Sequence, residues 1–122
     1  MTRVIFDSSF LMALADTPTT WFEDITDRIG KFEPVLLECV GRELHGLASG
    51  KGGRSKAARV ALELSKRFDR LECGRACVDD EIISAASTEG AVVATTDEEL
   101  ARAAKAARLR VISLRGGRVS LQ

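Results

Sequence analysis

The amino-acid sequence predicts an α/β protein with three layers, in which helices cover both faces of a central parallel sheet of about five strands. Short apolar segments of strand length recur along the chain, and segments with helical apolar spacing separate them. A chain of 122 residues is long enough to bury one hydrophobic core without disulfide or metal staples. We therefore expect a single domain over residues 1–122.

The first half of the chain opens with a strand and a helix that end in a turn. The elements predicted here are a strand at 3–6, a helix at 8–15, a helix at 21–29, a strand at 34–36 and a helix at 40–50. The apolar stripe of the second helix consists of Trp21, Phe22, Ile25 and Ile29. Either Thr19 or Thr20 is a suitable N-cap for that helix, and glycine 30 a suitable end.

The second half continues the alternation of helices and strands. Ala57, Val60, Ala61, Leu64 and Phe68 follow the spacing of an amphipathic helix. The elements predicted after it are a strand at 71–73, a helix around 82–86, a strand at 91–94, a helix at 100–107, a strand at 110–114 and an edge strand at 118–121.

Composition excludes several classes of protein. The chain carries 18 basic and 18 acidic residues, so its net charge is zero and any nucleic-acid binding must use a local patch. Tyrosine is absent and aromatic residues are 5%, which argues against a stacking platform for single strands.

Cysteine and histidine usage points to an intracellular protein. Cys39, Cys73 and Cys77 make an odd number and include no C-x-x-C pair, and His45 is the only histidine. This set fits neither structural zinc nor a disulfide scaffold, so we expect reduced thiols in a cytoplasmic protein. No apolar run approaches the ~20 residues of a membrane span, and FLMALA after Asp7 makes a poor signal peptide.

Acidic residues follow the predicted strands at equivalent points. Asp7 comes directly after the first strand, Asp79 and Asp80 open the helix after the third, and Asp97 lies just past the fourth. Because ligands of open parallel sheets bind beyond the carboxyl ends of the strands, these acids should gather at one edge. Glu43 lies on or beside the apolar stripe of its helix, where an unpaired carboxylate is rare.

Each of these acids also has a structural interpretation. Asp7, Asp79 and Asp97 are suitable helix N-caps, and Glu43 is compatible with a salt-bridged surface acid. Helical phase turns Asp79 toward the buried side with Ile82, whereas Asp80 falls about 100° further round the helix.

Several carboxylates at one edge repel each other unless a cation lies between them. Oxygen ligands without histidine or cysteine favour Mg²⁺ or Mn²⁺. Such ions commonly activate water and neutralise phosphate in phosphodiester hydrolysis.

Four sequence motifs resemble those of the PIN-domain nucleases. They are VIFDSSFLM, the V-x-x-E-L-x-x-L pattern of residues 40–47, VDDEIISAAS and VVATTDEEL, and they occur in this order over nearly the whole chain. The resemblance implies an α/β/α PIN-like fold and cleavage of single-stranded RNA with Mg²⁺ or Mn²⁺. The catalytic and metal-binding acids that it implies are Asp7, Glu43, Asp97 and either Asp79, which we prefer on helical phase, or Asp80.

The same resemblance implies supporting residues and a biological setting. Ser8 or Ser9 would support the first carboxylate, and the hydroxyl of Thr95 would hold a carboxylate or water. The final motif and its helix look closest to the archaeal branch resembling small-subunit ribosomal RNA processing nucleases, although VapC-type toxins share the motifs. A ribosome-assembly partner, an antitoxin and a homodimer therefore stay open, together with a PIN-like module that binds RNA or protein without turnover. A phosphoacceptor receiver domain fits less well, because no aspartate follows the strand at 34–36.

A basic segment lies between the second acid and the third. Lys51, Arg54, Lys56 and Arg59 occur there without an acid, so this segment is either a solvated loop or a patch that contacts RNA phosphates. The glycines at 46–52 fall one residue short of a phosphate-binding loop and lack its Ser/Thr, so we expect no nucleotide site there. His45 lies only two residues from Glu43, so the two side chains diverge on a helix.

Overall fold

A computed structural model describes residues 1–17 and 20–122. The strands are β1 (Thr2–Phe6), β2 (Phe32–Leu37), β3 (Asp69–Leu71), β4 (Val92–Ala94), β5 (Val111–Arg115) and β6 (Arg118–Leu121). The helices are α1 (Ser8–Asp16), α2 (Trp21–Ile29), α3 (Glu38–Ala48), α4 (Gly53–Leu64), α5 (Val78–Glu89) and α6 (Glu98–Ala106).

The strands form one sheet in the order β3-β2-β1-β4-β5-β6. The first five strands are parallel, and β6 is antiparallel to β5 at the edge. The predicted α/β fold with a central parallel sheet is thereby confirmed. The chain moves outward from β1 through β2 to β3 and then returns to the other side of β1 at β4. The switch point therefore lies between β1 and β4, and ligands of such sheets bind at the carboxyl side of this point.

The centre of the sheet is covered on both faces. Val4, Ile5 and Phe6 of β1 are fully buried, and Val93 and Ala94 of β4 are fully buried beside them. Continuous apolar runs of this kind are typical of parallel strands that helices cover on both sides. The central strands therefore give the residues that follow them a rigid support.

Three details of the predicted elements are wrong. The amphipathic helix ends at Leu64, and Phe68 is buried beyond it, where the chain turns before β3. Two residues predicted on apolar stripes are exposed instead: Val60 of α4 is 42% exposed and Phe22 of α2 is 45% exposed. β3 occupies Asp69–Leu71 and not 71–73, because its pairing with β2 selects Asp69 opposite Val35.

The N-cap of α2 also differs from the expectation. Thr20 stands at the N-cap position, but its hydroxyl donates to the Asp24 carboxylate at 3.1 Å and accepts no capping hydrogen bond from a backbone N–H. Thr19, the other predicted cap, lies outside the described residues. Gly30 ends the helix as predicted, with φ at 81°.

The prediction of reduced thiols is wrong for two of the three cysteines. Cys39 and Cys73 form a disulfide, while Cys77 is a free, exposed thiol. Leu37 of β2 pairs with Leu71 of β3, and each cysteine lies two residues beyond its paired strand end. The register therefore brings the two Cα atoms to 6.0 Å, which a count of cysteines cannot reveal. Within the described part of the chain, no helix has the length and apolar character to cross a membrane.

Candidate active site

Asp7 lies at the centre of the carboxyl edge, one residue beyond β1. Its backbone N–H donates to the carbonyl of Ala94 at 2.9 Å, which joins the ends of β1 and β4. The residue is only 6% exposed. It occupies the N-cap position of α1, yet its side chain accepts no capping hydrogen bond. Helix capping therefore does not explain why this carboxylate is buried at the end of β1.

Two hydroxyl groups hold one oxygen of Asp7. Ser9 Oγ donates to Asp7 Oδ2 at 2.6 Å, and Thr95 Oγ1 donates to the same oxygen at 2.8 Å. Ser9 Oγ accepts the N–H of Thr96 at 3.0 Å, and Thr95 Oγ1 accepts the N–H of Asp97 at 3.0 Å. The two hydroxyl oxygens also lie 3.1 Å apart, so they form one hydrogen-bond network around Oδ2. Within residues 1–17 and 20–122 no donor reaches Oδ1, which is left to face a ligand.

Asp97 is both a helix cap and a candidate metal ligand. It is the N-cap of α6, where Oδ1 accepts the backbone N–H of Glu99 at 2.8 Å and of Leu100 at 3.1 Å. The capping interpretation is therefore correct for Asp97, unlike for Asp7. The cap uses only Oδ1, so the second carboxylate oxygen can still coordinate a cation.

Glu43 projects from the middle of α3 and is exposed. Its flanking residues Val40 and Leu44 are fully buried, so the carboxylate stands at the border of the apolar stripe. Ser8 Oγ donates to Glu43 Oε1 at 2.7 Å. The two adjacent serines therefore orient different carboxylates: Ser9 orients Asp7, whereas Ser8 orients Glu43.

Asp79 lies in the first turn of α5, where Cys77 and not Asp79 is the N-cap. Partial burial of the carboxyl raises the pKa of Asp79, and the charges of Asp7, Asp97, Glu43 and Asp80 raise it further, in that order. These four carboxylates are therefore electrostatic neighbours of Asp79. Asp80, the next residue in the chain, has the smallest of the four effects.

The donor set fits a hard divalent cation. The site offers carboxylate oxygens from four different elements, and hard oxygen ligands favour Mg²⁺ or Mn²⁺. Among the residues that the structure describes, no three acidic, histidine or cysteine side chains are already grouped closely enough to hold a metal ion.

The basic segment predicted to contact RNA is divided by the fold. Arg59 Nη1 donates to the carbonyl of Ala48 at 3.1 Å, which closes the end of α3. Arg54 lines a cavity of about 270 Å³ that also includes Ser9, so it lies on the α1 side of the acids. Lys51 and Lys56 are exposed.

A second group of basic residues beside the site was missed. Arg102, Lys105 and Arg115 line a cavity of about 320 Å³ that also includes Asp97. The spacing of Arg102 and Lys105 on one helix face was a detectable signal. Arg115 could not be assigned to this group, because only the position of β5 beside α6 brings it there.

The comparisons with known proteins agree with this architecture. Residues 4–117 match a family model described as a PIN like domain. The structure of the PIN domain endonuclease Utp24 is similar, with a TM-score of 0.77 and 25% sequence identity over 98% of this chain and 90% of that chain. No curated protein matches the sequence.

Two further solved structures show similarity at the level of the fold alone. PAE2754 from Pyrobaculum aerophilum has a TM-score of 0.53 and 21% identity, over 83% of this chain and 78% of that one. A domain of a functionally unknown protein from Methanocaldococcus jannaschii has a TM-score of 0.66 and 17% identity, over 100% of this chain and 97% of that one.

Proposed function

Because this chain belongs to the PIN-like domain family, we propose that it is a metal-dependent endoribonuclease that cleaves single-stranded RNA by phosphodiester hydrolysis. Family membership confirms the resemblance carried by the four sequence motifs. Similarity to the PIN domain endonuclease Utp24 supports nuclease activity. The observation that carries the proposal is that Asp7, Asp97 and Glu43, which come from three other elements at the same edge of the sheet, all raise the pKa of Asp79.

Asp7, Glu43, Asp79 and Asp97 would hold Mg²⁺ or Mn²⁺, with Asp80 as a further outer ligand. A divalent cation in such a site neutralises phosphate charge and lowers the pKa of attacking water. The chain orients the ligands through its own hydrogen bonds: Ser9 and Thr95 fix Asp7, Ser8 fixes Glu43, and the N-terminus of α6 fixes Asp97. Glu43, Asp79 and Asp97 are exposed, whereas Asp7 is buried.

The proposed reaction is hydrolysis of the phosphodiester bond by water. A bond forms between the water oxygen and phosphorus, and the bond from phosphorus to the 3′ oxygen breaks. Water loses one proton and the leaving 3′ oxygen gains one. The products should therefore carry a 5′-phosphate and a 3′-hydroxyl.

The decisive experiment is cleavage of a labelled single-stranded RNA by the purified chain. We expect cleavage with Mn²⁺ or Mg²⁺, none with chelator, and none with Asp7→Asn. Asp27→Asn is the matched control, because it removes the same charge from the exposed face of α2. Equal cleavage by Asp7→Asn and the parent would refute the proposal. RNA binding without any cleavage would instead identify a silent PIN-like module.

For the biological role we propose ribosomal RNA processing, with a toxin ribonuclease as the alternative. Both use the same four acids, so the substrate must separate them. We expect faster cleavage of precursor small-subunit ribosomal RNA than of an unrelated messenger RNA. Inhibition by the product of a small adjacent gene would favour the toxin.

A further inference from the structure

Three basic side chains line the cleft beside Asp97, together with the acidic side chains of Asp97 and Glu98. It lies between α6 and the end of β5, has a volume of about 320 Å³, and is bordered by Arg102, Lys105 and Arg115. All three side chains are exposed. We call it the α6/β5 cleft.

The cleft has a polar floor that positions one of its cations. Gln122 Nε2 donates to Ser113 Oγ at 3.1 Å, and Ser113 is only 8% exposed. Lys105 Nζ donates to Gln122 Oε1. Lys105 is therefore held at the floor by a neutral partner, and no carboxylate among the described residues forms an ion pair with it.

Arg102 and Arg115 have no acidic partner in the part of the chain that the structure describes. No carboxylate oxygen lies within the 4.0 Å of an ion pair from either guanidinium. Glu98 also lines the cleft, yet it pairs with neither arginine. Guanidinium groups match the oxygen geometry of phosphates, so an anion of this kind is the expected occupant.

The position of the cleft relative to the acids identifies which phosphates it would receive. Asp97 is the N-cap of α6 and also lines the cleft. At a rise of about 1.5 Å per residue, Arg102 and Lys105 lie roughly 7.5 Å and 12 Å along the helix axis from Asp97. The cleft therefore begins at one of the proposed metal ligands and extends along α6 away from it.

We propose that the α6/β5 cleft binds backbone phosphates of the RNA strand on one side of the scissile bond, through Arg102, Arg115 and Lys105. The inference rests on the proposed function and extends it to the path of the substrate. Contacts to phosphates position a strand without reading its sequence. The cleft should therefore bind single strands irrespective of base composition.

The test measures binding separately from cleavage. A fluorescent oligouridylate is titrated with protein in chelator at several salt concentrations, and anisotropy reports binding. The double variant Arg102→Gln/Arg115→Gln should bind on the order of tenfold more weakly at low salt. Its slope of log affinity against log salt should be smaller by about 1.4, since each phosphate contact to a single strand contributes about 0.7.

The matched control is Lys66→Gln/Arg67→Gln. It removes the same charge, but these exposed residues precede β3 at the opposite edge of the sheet. We expect it to bind like the parent. The single variants at Arg102 and Arg115, each lowering the slope by about 0.7, provide the same test if the double variant folds poorly.

The outcomes separate this inference from the proposed function. Parent-like binding by the double variant, or equal weakening by the control, overturns the cleft while metal-dependent cleavage can persist. Failure of the parent to bind oligouridylate overturns the cleft as well. Absence of cleavage by the parent in Mn²⁺ overturns the nuclease function and leaves the binding result standing.

Discussion

Thr95→Val tests the hydroxyl network that holds Asp7. Thr95 is fully buried, and its hydroxyl donates to Asp7 Oδ2 at 2.8 Å while it accepts the N–H of Asp97 at 3.0 Å. Valine keeps the shape of the side chain but removes the hydroxyl. The substitution therefore removes one hydrogen bond to a charged group and one acceptor of a backbone amide.

The magnitude follows from these two losses. A hydrogen bond to a charged group contributes about 1.5–3 kcal/mol, and a buried amide without an acceptor costs about 1–3 kcal/mol. Asp97 itself is exposed, so water partly replaces the lost acceptor of its N–H. We expect the free energy of unfolding to fall by about 2–4 kcal/mol. Since Thr95 orients a predicted metal ligand, cleavage should also fall by roughly 10–100-fold.

Urea unfolding in chelator, followed by circular dichroism, measures the loss of stability. Thr95→Ser is the control, because it keeps the hydroxyl and removes one methyl group. By comparison with Ile→Val changes it should cost about 0.5–1.5 kcal/mol. If Thr95→Val costs no more than Thr95→Ser, the hydroxyl contributes nothing to stability and the reasoning is wrong.

Further predictions concern the acids and the disulfide. Asp97→Ala should lower stability in chelator by about 0.5–2 kcal/mol, and Asp97→Asn by far less, because asparagine also caps helices; urea unfolding distinguishes them. Asp79→Asn should raise stability at neutral pH in chelator, because burial and neighbouring carboxylates raise the pKa of Asp79 and so disfavour its charged form in the folded state. This gain should disappear as the pH falls below the ordinary aspartate range, where Asp79 is protonated in both states; a persistent gain would contradict the electrostatic cause. Cleavage assays should show that Asp79→Asn loses activity while Asp80→Asn keeps most of it; the reverse order would make Asp80 the ligand. Cys39→Ser should lower stability under oxidising conditions by about 3–4 kcal/mol, since the disulfide closes a loop with a sequence separation of 34; equal stability of the variant and the oxidised parent would show that the bond adds nothing.

The order of helices and strands could be predicted because most of them combine a clear apolar period with glycine or polar boundaries. β1 and β4 are short apolar runs, and α5 has Ile82 and Ala86 buried at helical spacing. The predicted position of β3 was two residues too far along the chain, because its sequence, DRL, has no apolar pattern of its own. Its position depends on pairing with β2, which is a tertiary effect.

The sequence indicated the acids of the candidate site, but it did not indicate which hydroxyl groups orient each of them. Strand ends indicated Asp7 and Asp97, and helical phase indicated Asp79, since each signal is local in sequence. Which serine orients Asp7 and which orients Glu43 depends on where α3 and β4 pass beside α1. The sequence alone therefore could not assign the two roles to Ser8 and Ser9. The formation of the disulfide and the placement of Arg115 beside α6 also depend on how the strands pair, which is not a local signal in the sequence.

The two ends of β1 differ in how their acidic side chains are compensated. This difference shows that the uncompensated acids at the carboxyl edge result from their placement and not from the composition of the chain. At the amino end, Arg3 Nη2 contacts Glu33 Oε1 at 3.1 Å and Asp69 Oδ2 at 3.2 Å, and Nη1 contacts Glu89. One guanidinium thus neutralises part of a three-carboxylate group there. At the carboxyl end, Asp7 has hydroxyl donors but no ion-pair partner among the described residues. Since the chain has equal numbers of acids and bases, the lack of an ion-pair partner for Asp7 among the described residues reflects local placement, and an external cation is the simplest means of compensating its charge.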